Sequence, residues 1–296
     1  MFQSIFMQQD RWTGDRIGSA ASDRSLANWE VTVMSNHGLL GWLAAGFLIG
    51  LAGCSAAPTV FHPINPITPG EFSHRDYDGA LRHHVKHGIV DYPGLQKDTR
   101  LTNYLTRLDR VDPTGFVSRN EKLAFWINAY NAFAIKGILN RYSPTSHVGR
   151  YRYFIGQQFR VGGETINLYD LERQVLIAQF HEPLIHFAIV CASTSCPPLQ
   201  PWAYDPGQLD RQLDLVAREF INDESRNRFD RRGKIASLSM IFKWFEKDFS
   251  MVAGSVLDYV ARYVEDPNLA KELMESGYRV EYLDYDWTLN GIPPKE

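Results

Sequence analysis

The sequence has little cysteine and no strong excess of either charge. Its 296 residues include 3 cysteines, and 31 Lys and Arg are balanced by 34 Asp and Glu, giving a formal net charge of −3. No basic run, low-complexity tract or internal repeat occurs. Nucleic-acid binding needs a basic surface, because phosphate neutralisation supplies most of its affinity. We therefore expect no nucleic-acid partner.

The sequence also lacks an apolar run long enough for an ordinary membrane span. Residues 38–53 are uncharged and mostly apolar, but a transmembrane helix needs about 20 such residues. A shorter run that ends in small residues is typical of a secretory signal. This run ends in Leu51-Ala52-Gly53-Cys54, which resembles the lipobox of bacterial lipoproteins. The resemblance implies that Cys54 is acylated and that everything before it is removed.

The lipobox resemblance also implies a location and a division of the chain. Ser55 rather than Asp follows Cys54, which implies an outer-membrane lipoprotein that faces the periplasm and contacts the membrane through its lipid anchor. We take Met34 as the initiator; the alternative is a cytoplasmic arm before a signal anchor. The predicted parts are an upstream extension (1–33), a signal peptide (34–53), a flexible proline-rich tether (54–72) and a single domain (73–296).

The stretch from His186 to Leu199 carries most of the chemistry that the sequence offers. The segment from Leu184 to Cys191 is short and rich in Ile, Val and Phe, which predicts a buried central strand. His186 is then either a hydrogen-bonded core histidine or a catalytic group. On a strand, residues five apart point to opposite faces about 16 Å from each other. We therefore do not expect His186 to pair with Cys191.

Cys191 and Cys196 allow two interpretations. Cys196 precedes Pro197-Pro198, and a thiol at the start of a helical turn would be favoured as a thiolate, so Cys196 is the predicted nucleophile. The small residues between the two cysteines also allow the alpha-carbon separation of roughly 4.4 to 6.8 Å that a disulfide needs. Disulfides persist outside the cytoplasm, and Cys54 would leave an even pair. Both interpretations stay open.

A capping box at Ser118 to Glu121 predicts the start of a helix that is apolar around most of its circumference and therefore buried. Asn128 and Asn131 lie one turn apart in it. Buried amides must be paired, so these two either bind neighbouring groups or face a cleft. His83 and His87 have the spacing of two metal ligands on one helical face. No glutamate lies between them in the zincin arrangement, and we expect neither a metal nor a cofactor.

Five ordered motifs resemble the domain-of-unknown-function 547 family, over about residues 75 to 291. One departure from the family is Leu171-Glu172-Arg173, where the family commonly has Ile-Glu-His. The family name states that its function is not established, so the resemblance implies a domain more than an activity. The motifs are Ala124-Phe-Trp-Ile-Asn-Ala-Tyr-Asn-Ala, His186-Phe-Ala-Ile-Val-Cys, Ser195-Cys-Pro-Pro-Leu, Ile241-Phe-Lys-Trp-Phe with Asp248-Phe, and Tyr285-Asp-Trp-Thr-Leu-Asn.

The order of predicted elements indicates an α+β domain in which a small central sheet packs against the buried helix, with several surrounding helices. A hairpin should turn at Gly162-Gly163, and a last strand should lead to Asp286 and Asn290. This arrangement is compatible with papain-like and transglutaminase-like folds. In that analogy Cys196 attacks a carbonyl, His186 transfers the proton, and Asp286 or Glu172 orients the imidazole.

Two main functions follow from these residues. The first is a lipid-anchored envelope module that binds a peptide, glycan or protein through a cleft lined by Asn128, Asn131 and Asn290. The alternative is a cysteine-dependent hydrolase or acyl transferase, in which Asn128 or Asn131 could donate to the oxyanion. A thiol-disulfide role is a third option, but the usual C-x-x-C spacing is absent.

Overall fold

The computed structural model describes residues 61–275 and 277–294, and its fold is α+β, as predicted. Within this part of the chain, no helix is both long and apolar enough to cross a membrane. The predicted upstream extension, the signal peptide, Cys54 and the first part of the tether lie outside the described residues.

Helices provide most of the regular structure in the described residues. Short 3₁₀ turns cover Pro69–Glu71 and Pro113–Gly115, and π-helical turns cover Arg152–Gly156 and Leu171–Ile177. The α-helices are α1 (Arg75–His84), α2 (Tyr92–Lys97), α3 (Thr99–Arg110), α4 (Arg119–Leu139), α5 (His147–Tyr151), α6 (Leu168–Asp170), α7 (Ala178–Phe180), α8 (Ile185–Ala188), α9 (Leu209–Ile221), α10 (Met240–Trp244), α11 (Glu246–Ala253), α12 (Val256–Ala261) and α13 (Pro267–Glu275).

Three small sheets replace the single central sheet that the sequence predicted. In the first, β2 pairs with β1 antiparallel and with β8 parallel. The second is the β3–β4 hairpin, which turns at Gly162-Gly163 as predicted. In the third, β6 pairs with β5 antiparallel and with β7 parallel. The strands are β1 (Val85–Lys86), β2 (Ile89–Asp91), β3 (Phe159–Val161), β4 (Glu164–Ile166), β5 (Arg228–Asp230), β6 (Ile235–Leu238), β7 (Arg279–Tyr282) and β8 (Gly291–Ile292).

Helix α4 is the buried centre of the domain. Its predicted capping box is confirmed: Ser118 Oγ accepts from Glu121 N–H at 3.1 Å, and Glu121 Oε2 accepts from Ser118 N–H at 2.8 Å. Every residue from Leu123 to Ile135 is buried. A helix enclosed on all sides needs no polar face, which explains why its sequence is apolar around most of its circumference.

The central strand predicted at residues 184–191 is wrong. Its first half is the short helix α8, and the chain becomes extended only from Ile189. The extended backbone is satisfied by a side chain, because Asn131 Oδ1 accepts from Val190 N–H at 2.9 Å. The apolar composition of this stretch therefore reflects burial and not membership of a sheet, and the separation of about 16 Å expected from strand geometry does not apply.

Two further predictions are corrected. Residues 61–72 were predicted as part of a flexible tether, but they pack on the domain: the Phe61 ring lies 6.3 Å from Trp126, and Phe72 lies 5.2 Å from Phe125. His83 and His87 do not share a helical face, because α1 ends at His84 and His87 has a left-handed backbone (φ 49°). The domain thus begins before residue 73.

Candidate functional site

The cysteine loop (residues 191–196) is held by the C-terminal segment (residues 283–290). The two stretches run side by side, and backbone hydrogen bonds join them without forming a regular sheet. These bonds run from Thr194 N–H to Thr288 O (2.8 Å), from Ser195 N–H to Asp286 O (3.2 Å) and from Asn290 N–H to Ala192 O (3.1 Å). This pairing fixes Tyr285, from the C-terminal segment, beside the thiols.

Both cysteines are free thiols in the structure, so the predicted Cys191–Cys196 disulfide is absent from it. Cys196 Sγ instead accepts a hydrogen bond from Cys191 N–H at 2.8 Å. The Cys191 Sγ lies 3.0 Å from Ser193 Oγ and 3.2 Å from the Tyr285 hydroxyl. Two hydroxyl groups thus contact the Cys191 thiol, whereas the Cys196 thiol accepts from a backbone N–H.

These surroundings give the two thiols different acidities. Burial raises the pKa of Cys191, but hydrogen bonds from Cys196, Ser193 and Tyr285 outweigh burial and leave this pKa below its ordinary value. Burial and the neighbouring Cys191 raise the pKa of Cys196 well above the ordinary value. Because the thiolate is the nucleophile, these pKa directions make Cys191 the candidate nucleophile of the two. This order is the reverse of the one expected from the sequence.

His186 is held by a carboxylate that the sequence analysis did not select. Its Nε2 lies 2.9 Å from Asp248 Oδ2, and its side chain is 2 % exposed. The hydrogen bond from His186 keeps the pKa of Asp248 below its usual value. An ionised Asp248 accepts from Nε2–H, so the neutral imidazole carries its lone pair on Nδ1. The Nδ1 atom is buried and has no hydrogen-bond partner among the described residues.

Two aromatic and cationic layers support His186. Its ring stacks on Phe245 with a centroid distance of 3.8 Å. The Arg173 guanidinium lies 4.7 Å from the centroid of the Phe245 ring. Arg173 occupies the position where the family commonly has histidine, and its charge also contributes to the low pKa of Asp248. The departure from the family pattern therefore lies behind His186 and stabilises its carboxylate partner.

The two acids predicted to orient His186 have other roles. Asp286 is exposed, and its Oδ1 accepts from Thr288 N–H at 2.9 Å within the C-terminal segment. Glu172 has a largely buried side chain on the Leu171–Ile177 π-helical turn, and burial raises its pKa. Its Oε2 accepts a long hydrogen bond of 3.5 Å from the Tyr130 hydroxyl. Glu172 is thus a buried carboxyl group whose pKa lies above its ordinary value.

One small pocket brings most of these groups together. It has a volume of about 70 Å³. Neither thiol is hydrogen-bonded to His186 within the described residues. The buried Nε1–H of Trp244 also has no partner there. The lining comprises the polar groups Glu172, His186, Cys191 and Cys196, the aromatic rings Tyr130, Phe154, Tyr169, Trp244, Phe245, Tyr285 and Trp287, and the apolar residues Ile189, Val190, Pro197 and Ile241.

The three asparagines predicted to bind a ligand have hydrogen-bond partners within the protein instead, and none of them lines this pocket. Asn128 donates to Tyr204 O at 2.8 Å and accepts from Tyr204 N–H at 2.9 Å. Asn131 donates to Ala188 O at 2.9 Å and accepts from Val190 N–H. Asn290 accepts from the Tyr92 hydroxyl at 2.7 Å. The Asn128 and Asn131 side chains thus form the backbone hydrogen bonds that a neighbouring strand would otherwise supply. The segments that they bind are irregular chain packed on α4.

Sequence reasoning missed Asp248, Ser193, Tyr285 and Trp244. Trp244, Asp248 and Tyr285 lie inside the family motifs quoted above, so the motifs could have identified them as candidate site residues. Their roles depend on contacts over 62 and 94 positions in the sequence, which no local pattern encodes. Ser193 resembled one of several small turn residues.

The described residues contain no group of three or more His, Cys, Asp or Glu side chains placed to hold a metal ion. No curated protein and no solved structure matches the chain. The model of a family described as "Protein of unknown function, DUF547" matches residues 115–221, which include α4, Glu172, His186 and both pocket cysteines. Over these residues the chain matches the DUF547 family.

Proposed function

We propose that the domain is a cysteine-dependent acyl hydrolase or acyl transferase of the bacterial envelope, with Cys191 as its nucleophile. One observation carries the proposal. A single pocket is lined by a thiol with a lowered pKa and by a histidine whose Nε2 is bound to a carboxylate while its Nδ1 is unpaired. This is the division of roles that nucleophile, base and orienting acid have in cysteine and serine enzymes.

The chemistry follows from the state of each group. The Cys191 proton passes to His186 Nδ1, directly or through one water, and the thiolate attacks a substrate carbonyl carbon. The unpaired Trp244 Nε1–H is the donor in the pocket available to the oxyanion. When the intermediate collapses, His186 returns the proton to the leaving alcohol or amine, and an acyl thioester remains on Cys191. Water or an acceptor, deprotonated by His186, then releases the acyl group and restores the thiol.

The pocket also supports the interpretation of the chain as a binding module. Trp244, Tyr285 and Trp287 form a compact aromatic group with ring centroids 4.6 to 5.9 Å apart, and apolar pockets with few polar groups are common ligand sites. The absence of a direct hydrogen bond between thiol and imidazole favours this second candidate. In it, the free thiols and the His186–Asp248 pair are structural, and a peptide, glycan or protein group occupies the pocket.

Acylation by a simple ester separates the two candidates. The full chain is mixed with p-nitrophenyl acetate, quenched in acid and mapped by peptide mass. The hydrolase predicts an acetyl group on Cys191 that is lost with time, and no acetylation of a Cys191→Ala chain. Cys196→Ala is the matched control and should still be acetylated at position 191. A chain that releases no nitrophenol above the Cys191→Ala background would contradict the enzyme and leave the binding module.

A further inference from the structure

The outer surface around α5 differs in charge from the rest of the chain. No Asp or Glu occurs between Glu121 and Glu164, although the whole sequence is slightly acidic. Arg141 and Arg152 lie in this stretch, both are exposed, and neither forms an ion pair with the described residues. Two exposed arginines without an ion-pair partner among the described residues can bind an external anion.

Exposed apolar side chains lie between these two arginines in the sequence. Val148 is 63 % exposed, Tyr151 is 53 % exposed and Tyr142 is 37 % exposed. Val148, Tyr151 and Arg152 follow at i, i+3 and i+4 spacing and therefore share one face. The backbone oxygen of Ser143 lies against Gly149, so close that an added Cβ would meet it, which packs the loop that starts at Tyr142 against α5. We call Arg141, Tyr142, Val148, Tyr151 and Arg152 the α5 patch.

The inner side of α5 keeps this patch in place. Arg150 is buried; its guanidinium carbon lies 4.7 Å from the centroid of Trp287, and its Nη2 is 2.9 Å from His147 Nδ1. Ser146 caps the helix by accepting from Gly149 N–H at 3.0 Å. Because Trp287 also lines the pocket, the α5 patch lies on the outside of a wall of the candidate site.

We propose that the α5 patch binds the surface of an anionic lipid membrane. Exposed tyrosine and valine can enter the interfacial layer, while flanking arginines extend to lipid phosphates. Each basic side chain near an anionic leaflet strengthens binding by about five-fold. A folded partner would need a broader apolar area than three separate side chains offer, whereas a lipid surface needs only a few inserted groups and positive charge.

The sequence before the domain agrees with this partner. Phe61 packs against Trp126, and the seven-residue step from Cys54 to Phe61 spans at most about 25 Å. A lipid at Cys54 would therefore keep the domain at the membrane surface. This step alone rests on the proposed lipid anchor; the charge and exposure of the α5 patch do not.

Hydrogen exchange of the full chain on vesicles tests the proposal. Vesicles of phosphatidylcholine are compared with vesicles in which one third is phosphatidylglycerol. We expect the two arginines together to strengthen binding to the anionic vesicles roughly 25-fold. Amides in residues 141–152 should therefore exchange more slowly on these vesicles, and high salt should remove the difference. Residues 246–253, where Met251 is 70 % exposed, serve as the internal reference and should not change.

A pair of variants makes the test specific. Arg141→Gln with Arg152→Gln should abolish the slowing, and Arg228→Gln with Arg279→Gln, which removes the same charge elsewhere on the surface, should preserve it. Equal exchange on both vesicles would overturn the proposal. Slowing that appears without vesicles as protein concentration rises would also overturn it and would assign the patch to a second copy of the chain. Neither result depends on acyl transfer at Cys191.

Discussion

At the residue scale, reactivity is decided by the immediate surroundings of two similar side chains. Cys191 and Cys196 lie five positions apart in one loop, and the hydroxyls of Ser193 and Tyr285 lie 3.0 Å and 3.2 Å from the Cys191 thiol. A hydrogen bond to a thiolate lowers the thiol pKa, and burial without one raises it. The sequence could place both cysteines in one loop, but the hydroxyl of Tyr285 arrives from 94 positions away.

Removing that hydroxyl should make Cys191 less acidic. Tyr285→Phe deletes one hydrogen bond to the thiolate, which is worth about 1 kcal/mol and hence about 0.7 of a pKa unit. The midpoint of the pH dependence of Cys191 alkylation by iodoacetamide should rise by that amount. Tyr282→Phe, a partly exposed tyrosine on β7, is the matched control and should leave the midpoint in place. An unchanged midpoint in Tyr285→Phe would disprove this role.

The orienting acid can be identified in the same way. Asp248→Asn should slow acetylation of Cys191 by p-nitrophenyl acetate roughly 10²- to 10⁴-fold, because the amide no longer holds His186 with its lone pair on Nδ1. Asp286→Asn changes one of the two acids that the sequence predicted and should change the rate less than about two-fold. Equal losses in the two variants would contradict the assignment of Asp248.

At the element scale, the helix that the sequence specifies most strongly is the one that holds the site. The capping box and the continuous apolar surface of α4 are local properties, and both were predictable. The segment from Leu184 to Cys191 was not, because its composition indicates burial without saying what satisfies its backbone. The Asn131 side chain on α4 forms the missing hydrogen bonds, to Ala188 O and from Val190 N–H. Only the tertiary structure reveals this pairing.

Loss of the Asn131 amide should therefore destabilise the domain. Asn131→Ala leaves Val190 N–H and Ala188 O buried without partners, at a cost of about 2 to 4 kcal/mol in the free energy of unfolding. Urea denaturation followed by circular dichroism measures it. Asn103→Ala, at an exposed position on α3, should change the free energy by less than about 0.5 kcal/mol. A loss at Asn131 no larger than at Asn103 would refute the backbone role.

At the scale of the whole molecule, ionised carboxylates join elements that the hydrophobic core alone does not fix. Asp98 caps α3, binds Arg100 at 2.6 Å and contacts His84 at the end of α1 at 3.0 Å. The hydrogen bond from Arg100 is the main cause that lowers the pKa of Asp98 to about 2. His84 also contacts Asp91, which caps α2, so one cluster ties three helices together.

The sign of the pH dependence follows from this lowered pKa. A carboxyl with a pKa lowered on folding adds stability above its unfolded value of about 3.9, and this stability is lost as the pH falls towards the folded value. The melting temperature of the wild-type chain should fall between pH 5 and pH 2, and Asp98→Asn should reduce the extent of that fall. Identical slopes in the two chains would show that Asp98 does not contribute.

The state of the two pocket thiols decides whether Cys191 is the nucleophile. The decisive measurement is alkylation of the unreduced full chain by iodoacetamide across a pH series, with peptide mass mapping of each cysteine. We predict that Cys191 is labelled without reductant, with a midpoint below the ordinary thiol pKa of about 8.5, and that Cys196 resists labelling at the same pH. Labelling of the two thiols only after reduction, or faster labelling of Cys196, would contradict the central role of Cys191.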